Sequence, residues 1–351
     1  MGIDAIIDRR RRQPQWDPDL WDFAERIQFV SGEELNDRTI APRPLEHVGN
    51  EALQARLDAI DRNIQYLDVA AGPRDDWPPE KGWLSPWWWL RLRHWTRSEF
   101  ARRGLAVQPA PEVAHPVPLH GDFLGIHAGR PPRMFRLSRV PYLMRFLEEG
   151  QLRFAPAVSY KAIEDDEARA DDEMTKGYRR AGGLVTITRV HGRRIEAIGD
   201  VRFDTTRATA DEAAVPYWML CASTDFDPRL LDAFPGGHGD DGVLAIFDPL
   251  EFRRRAGVAL AKAQPHVLGR IAVVDYYDVY HPPGPDISPV TMKAMRFAYQ
   301  RELRFVLDPG RGAAIAESAY FMNIGPIADI AGVYGGDGRR IAGTGPDSYL
   351  A

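Results

Sequence analysis

The chain has a single cysteine, Cys221, and only five lysines among its 45 basic residues. One thiol cannot close an internal disulfide, and a zinc site built on cysteines is excluded with it. No stretch approaches the ~18 consecutive apolar residues of a membrane-spanning helix, and residues 1–12 run into charge without a hydrophobic signal core. The expectation is therefore a cytoplasmic protein without a membrane partner. Also missing are a P-loop, the Gly-x-Gly-x-x-Gly turn of dinucleotide folds, a nucleophile elbow and a His-Glu-x-x-His pair. The chemistries those motifs announce are unsupported. A net charge of −5 leaves no whole-molecule attraction to nucleic acid. The excess of arginine over lysine reads as codon usage in a GC-rich genome, and the Arg9-Arg10-Arg11-Arg12 run as a solvated flank. Cys221 follows the apolar run Trp218-Met219-Leu220, which reads as burial of a small side chain, since a reactive thiolate needs electropositive, partly open surroundings.

What is present is an ordinary globular composition, 44% hydrophobic and 27% charged, in a chain longer than one usual domain. Eight of the nine tryptophans lie in the first 95 residues. That asymmetry marks a Trp-rich helical module over residues 1–106. Leu20, Phe23 and Ile27 recur at helical spacing over residues 17–29, and Leu53, Leu57, Ile60, Ile64 and Leu67 over residues 51–67. Ser85-Pro86 reads as an N-cap and first-turn proline opening a helix that Gly104 ends, with Trp88, Leu92 and Trp95 as its packing face. Buried tryptophans are expected there, although a surface for stacking bases or docking a protein partner is the other reading of such a module. Residues 107–132 are rich in proline and glycine and form a connection.

Residues 133–351 change to short apolar runs. Strands are expected over residues 134–137, 152–154, 184–190, 195–198, 217–223, 243–247, 271–276 and 303–307, and helices over residues 141–149 (closed by Gly150), 164–178 and 289–299. Many strands with few regularly alternating helices give an α+β class with a mixed, mostly antiparallel sheet.

Three spaced segments of this domain carry polar chemistry. Phe135-Arg136-Leu137-Ser138 is a strand whose arginine can clamp a pyrophosphate through paired hydrogen bonds, or can be a surface arginine. Leu220-Cys221-Ala222-Ser223-Thr224 is an apolar strand that turns polar at its end. There Ser223 and Thr224 can support a carboxylate or a ribose hydroxyl, or simply cap the Asp225-Phe226-Asp227-Pro228 turn. In Gln300-Arg301-Glu302-Leu303-Arg304-Phe305, period-2 alternation puts Gln300, Glu302 and Arg304 on one face. A carboxylate there can bind ribose and stabilise an oxocarbenium-like transition state, or it can face water on a sheet edge.

In order, the three segments resemble the Arg, Ser and Glu motifs of ADP-ribosyltransferases, over about half the chain. The resemblance implies an ADP-ribosyltransferase-like fold, NAD as substrate with no metal, and a setting such as a bacterial toxin or phage-defence effector. It implies Glu302 as the catalytic carboxylate, Ser223 supporting it and Gln300 facing the acceptor. Arg136, Ser138 and Thr224 then serve NAD binding. The acceptor is a macromolecule or small molecule that motif order does not name. The second domain is also similar to an uncharacterised bacterial family with Leu-Arg-Phe-x-Pro, Tyr-Tyr-Asp and Gln-x-Glu-Phe-Arg-Phe segments, here residues 152–156, 276–278 and 300–305. Where that family has an Asn-Asp-Pro turn this chain has Ser159-Tyr160-Lys161-Ala162, so ligand contacts of that turn do not carry over.

Two other classes remain open in the sequence. A metal-dependent nuclease or phosphohydrolase would use Asp171, Asp172, Glu173 and Glu302 as oxygen ligands. These first three belong to an acidic cluster with Glu164, Asp165, Asp166 and Glu167 that otherwise reads as a solvated helix face. A non-enzymatic sensor would use the module for a partner and the second domain for a ligand.

Overall fold

The computed structural model describes residues 45–66, 86–110, 134–162, 171–182, 185–188, 192, 194–197, 199–207, 217–224, 230–233, 240–280, 287–309 and 318–345. The helix expected over residues 17–29, most of the 107–132 connection, Trp16, Trp21, Trp77, Trp83, the side chain of Trp87, and Glu164 to Glu167 lie outside the described residues. Among the described residues no helix is long and apolar enough to cross a membrane.

Helix α1 (Asn50–Gln65) forms because Leu53, Leu57, Ile60 and Ile64 repeat at helical spacing, and all four are buried. Helix α2 (Pro86–Arg102) opens on proline and stops before Gly104, whose φ of 67° a side-chain-bearing residue adopts only with strain. Its buried face is Trp89, Leu92, Thr96 and Phe100, one position on from the expected Trp88 to Trp95 face. Trp88 and Trp95 pack half-buried against the same clusters. Both helices join the sheet domain: Ile60, Ile64, Trp89 and Leu92 share a core with Val274, Tyr276, Met295 and Phe297. Arg56 and Asp278, each 2% exposed, make a two-pronged ion pair at 2.5 and 2.6 Å across this contact.

The main sheet is built from β1 (Met134–Arg139), β2 (Gln151–Pro156), β7 (Trp218–Ser223), β8 (Asp241–Ile246), β9 (Leu268–Val273), β12 (Glu302–Asp308), β13 (Tyr320–Asn323), β14 (Ala331–Gly335) and β15 (Arg340–Gly343). Every pairing within it is antiparallel. Three ribbons stand apart: β3 (Thr175–Ala181) with β6 (Asp200–Thr206), β4 (Thr186–Thr188) with β5 (Arg194–Glu196), and a parallel pair of β10 (Asp275–Tyr277) with β11 (Met292–Ala294). The class is α+β with a mostly antiparallel sheet.

The apolar face of the sheet is covered by α3 (Val140–Glu149) and α5 (Pro249–Ala263), while α4 (Leu230–Ala233) is a single turn. Leu303, Phe305 and Leu307 alternate into this core, where Phe305 meets Phe252 edge-on at 5.4 Å. Gly150 closes α3 at φ 66°, and a β-carbon there would collide with the backbone of Gly325. Asp248 caps α5 by accepting from the Glu251 amide at 2.9 Å.

Several elements differ from the sequence reading. Residues 171–174 are irregular and lead into strand β3, not a helix, because Lys176 turns inward to Asp171 and Glu173. The helix expected over residues 289–299 is β11 followed by a 3-10 turn, Met295–Gln300. The strand expected over residues 271–276 is two strands, β9 and β10, separated by Val274. Helix α5 and the C-terminal strands β13 to β15 have no counterpart in that reading.

Candidate active site

The sheet forks at β7. On one edge β7 pairs along its whole length with β12, from Glu302↔Ser223 to Leu307↔Trp218. On the other edge β2 meets only Trp218 and Met219, and β1 meets only Ser223. On that edge residues 220–222 are thus left without a neighbouring strand among the described residues. The Arg136 side chain enters this gap, and its Nη1 donates to the Cys221 carbonyl that a strand would otherwise satisfy. The diverging strands open a cleft of about 650 Å³, within the range of small-molecule sites.

One end of the cleft is a buried charge cluster. Glu302 is 5% exposed; its Oε1 accepts from Arg304 Nε at 2.7 Å and its Oε2 from Lys293 Nζ at 3.1 Å. Arg304, with no exposed surface, also donates from Nη2 to Glu173 Oε1 at 2.8 Å and from Nη1 to the Val290 carbonyl at 3.0 Å. Glu173 Oε2 takes a 3.0 Å bond from Lys176, which also pairs with Asp171. Three carboxylates and three cations balance one another, as burial demands. Burial alone would raise the Glu302 pKa, but Arg304 and then Lys293 outweigh it and hold the carboxylate well below its ordinary range. Burial pushes the Tyr160 hydroxyl and the Cys221 thiol upward, and the negative charge of Glu302 adds to both. Both stay protonated at neutral pH.

Of the residues singled out in the sequence, Arg136, Ser138, Ser223, Gln300 and Glu302 all line this cleft. Glu302 and Arg304 share a strand face as the alternation requires, but Gln300 does not belong to the strand. It ends the 3-10 turn, and Arg301 at φ 47° breaks the alternation before β12 begins. Gln300 reaches Glu302 through a third residue, since Lys293 Nζ donates to Gln300 Oε1 at 3.0 Å. Ser223 stands opposite Glu302 across the sheet, yet among the described residues no hydrogen bond joins their side chains; Arg304 and Lys293 hold the carboxylate instead. Thr224 is not in the cleft lining. Its hydroxyl and amide both go to the Arg301 carbonyl, at 3.1 and 2.8 Å, and clamp the end of β7 to the turn before β12. Cys221 is half-buried on the cleft floor, not sealed in the apolar core.

No family model matches the chain, and no curated protein or solved structure matches it either. The site therefore rests on its own geometry. Sequence reasoning missed Lys293, Arg304 and Lys176 as site residues. Arg304 was legible, being two residues from Glu302 on one face. Lys293 was not, because the segment around it reads as helix and its ammonium direction depends on strand β11. The turn Ala157–Ala162 also reaches the site, with Ser159 and Tyr160 in the cleft wall. Asp172 faces elsewhere: it accepts from the Met174 and Thr175 amides and pairs with Lys161.

Proposed function

We propose that the protein is an ADP-ribosyltransferase that consumes NAD, with Glu302 as its catalytic carboxylate. The observation that carries the reading is a single rung of the sheet, Phe135↔Ser223↔Glu302, which brings the arginine, serine and glutamate segments side by side at the cleft. Four basic side chains, Arg136, Arg145, Arg153 and Lys293, line the cleft against two acidic ones, Glu173 and Glu302. That surplus suits a diphosphate ligand. Tyr142 and Phe321, 56% and 54% exposed in the same lining, offer aromatic faces to a base or pyridine ring.

In the proposed reaction the bond between ribose C1′ and the nicotinamide nitrogen breaks, and its electron pair leaves with nicotinamide. A nucleophile, which is water in the absence of another acceptor, forms the new bond to C1′ and releases its proton to solvent. Positive charge grows on the ribose as the bond breaks, and an ionised Glu302 held rigidly beside it stabilises that charge without reorganising. Arg136 contributes a guanidinium to the phosphate end.

The metal-dependent reading requires free carboxylates in one pocket. Here Glu173 and Glu302 are engaged by arginine and lysine, Asp171 by Lys176, and Asp172 by a turn and Lys161. Nicotinamide release from NAD, with and without cell lysate as a source of acceptors, is the deciding measurement. Purified protein that neither binds NAD nor releases nicotinamide in either condition would overturn the proposal in favour of a ligand-binding protein.

A further inference from the structure

Lys293 is 4% exposed and sits on β11, a three-residue strand held parallel to β10 through Tyr276↔Lys293. Its ammonium has two hydrogen-bond acceptors, Gln300 Oε1 at 3.0 Å and Glu302 Oε2 at 3.1 Å. Glu173 lies 3.7 Å away, and the Phe297 ring centroid 4.4 Å away. An ammonium has only hydrogens to offer, so only the carbonyl end of the Gln300 amide can meet it. The NH2 end is thereby turned the other way, with the Tyr299 hydroxyl 3.5 Å from it. Gln300 and Lys293 both border the cleft.

We infer that Lys293 is a positioning residue that sets the angle of the Glu302 carboxylate and the flip of the Gln300 amide together. This rests on the transferase reading for its kinetic consequences and on geometry alone for the orientation.

The test uses the full chain and NAD. Lys293→Met keeps the stem and removes the charge, and should lower nicotinamide release on the order of 10²-fold while NAD affinity changes little, because an orienting charge matters most in the transition state. Lys293→Ala leaves room for a small amine. Millimolar propylammonium should restore its rate at least about tenfold, and tetramethylammonium, which has no N–H, should not, as expected if N–H donation does the orienting. A lysine that merely supports the fold would lower the melting temperature and give no amine-specific rescue. Wild-type turnover in Lys293→Met, or a Lys293→Ala enzyme indifferent to propylammonium, overturns the inference.

If the wild-type protein releases no nicotinamide, the transferase reading falls, and crystal structures of Lys293→Ala with and without propylammonium then decide the lysine's role. Gln300 and Glu302 side chains that stay in place without the amine overturn it; side chains that swing away and return with the amine support it. Should neither lysine variant fold, Lys293→Arg decides, since it keeps the cation but moves its N–H groups: a lowered rate at an unchanged melting temperature or, failing turnover, displaced Glu302 and Gln300 side chains in its crystal structure support the inference, and neither change overturns it.

Discussion

Arg304 and Glu173 are 131 positions apart in the chain and 2.8 Å apart in the fold, and neither side chain is more than 1% exposed. The same guanidinium holds Glu302, so the strand bearing the proposed catalytic carboxylate is tied to the segment that begins β3. Buried pairs of this kind add little net stability when complete, but removing one member strands the others in a medium of low polarity. Arg304→Met should therefore cost about 3–5 kcal/mol in chemical denaturation, from Glu302 Oε1 and Glu173 Oε1, two buried carboxylate oxygens left without their donor. A loss under about 1 kcal/mol would mean that water or another cation reaches the cluster, against the burial seen here.

Replacing Glu302 by glutamine keeps the shape and removes the charge. Nicotinamide release should fall on the order of 10² to 10³-fold, the usual cost of losing an electrostatic stabiliser. The NAD dissociation constant should change far less. Since Arg304 and Lys293 lose a counter-charge, a melting curve belongs beside the rate; a folded Glu302→Gln protein with full activity would remove Glu302 from catalysis.

The pH dependence follows from the direction of two shifts. Glu302 is held below the ordinary carboxyl pKa of about 4.3, so its stabilising contribution is complete above that value and disappears as pH falls through the depressed one. Lys293 is held above its ordinary value of about 10.4, chiefly by Glu302 and Glu173 against the opposing effect of burial. Its contribution is complete below that value and is lost only as pH rises through the elevated one. Both groups stay charged from about pH 5 to 10, and the rate of nicotinamide release should show no acid limb in that interval. A rate-limiting ionisation near pH 6 to 7 would assign the chemistry to another group.

Arg136 has two tasks, satisfying the Cys221 carbonyl in the fork of the sheet and facing the cleft. Arg136→Ala should weaken NAD binding more than it slows bound substrate, because a phosphate contact is made in the ground state as well. Calorimetric titration and saturation kinetics separate the two effects. The orphaned carbonyl should add a stability loss on the order of 1 kcal/mol, the usual scale of one hydrogen bond. Unchanged NAD affinity in a variant that melts lower would leave Arg136 with the structural task alone.

Much of the framework is legible along the chain because it depends on neighbours in sequence. Leu53, Leu57, Ile60 and Ile64 define one face of α1 without reference to anything else, and the Gly150 and Gly104 stops follow from backbone conformations that glycine adopts without strain. The antiparallel α+β class follows from the succession of short apolar runs, and the alternation of β12 puts Glu302 and Arg304 on one face and Leu303 and Phe305 on the other. Burial did not follow from local pattern. Asp171 and Glu173 read as a solvated helix face because clustered charges usually are, and only Arg304, more than a hundred residues away, completes the partners that make the burial of Glu173 tolerable.

Tertiary structure alone decided where β7 parts from its neighbours. Pairing is a property of two strands at once, and the residues of β7 do not say that β2 will leave after Met219 and β1 arrive only at Ser223. It likewise decided Lys293, whose direction is set by a parallel pairing to Tyr276, and Gln300, which a left-handed Arg301 lifts off the strand. Local spacing thus determined which residues could share a face. Which faces meet, and therefore which charges can be buried together beside an open cleft, is a property of contacts between distant segments that no single stretch of sequence contains.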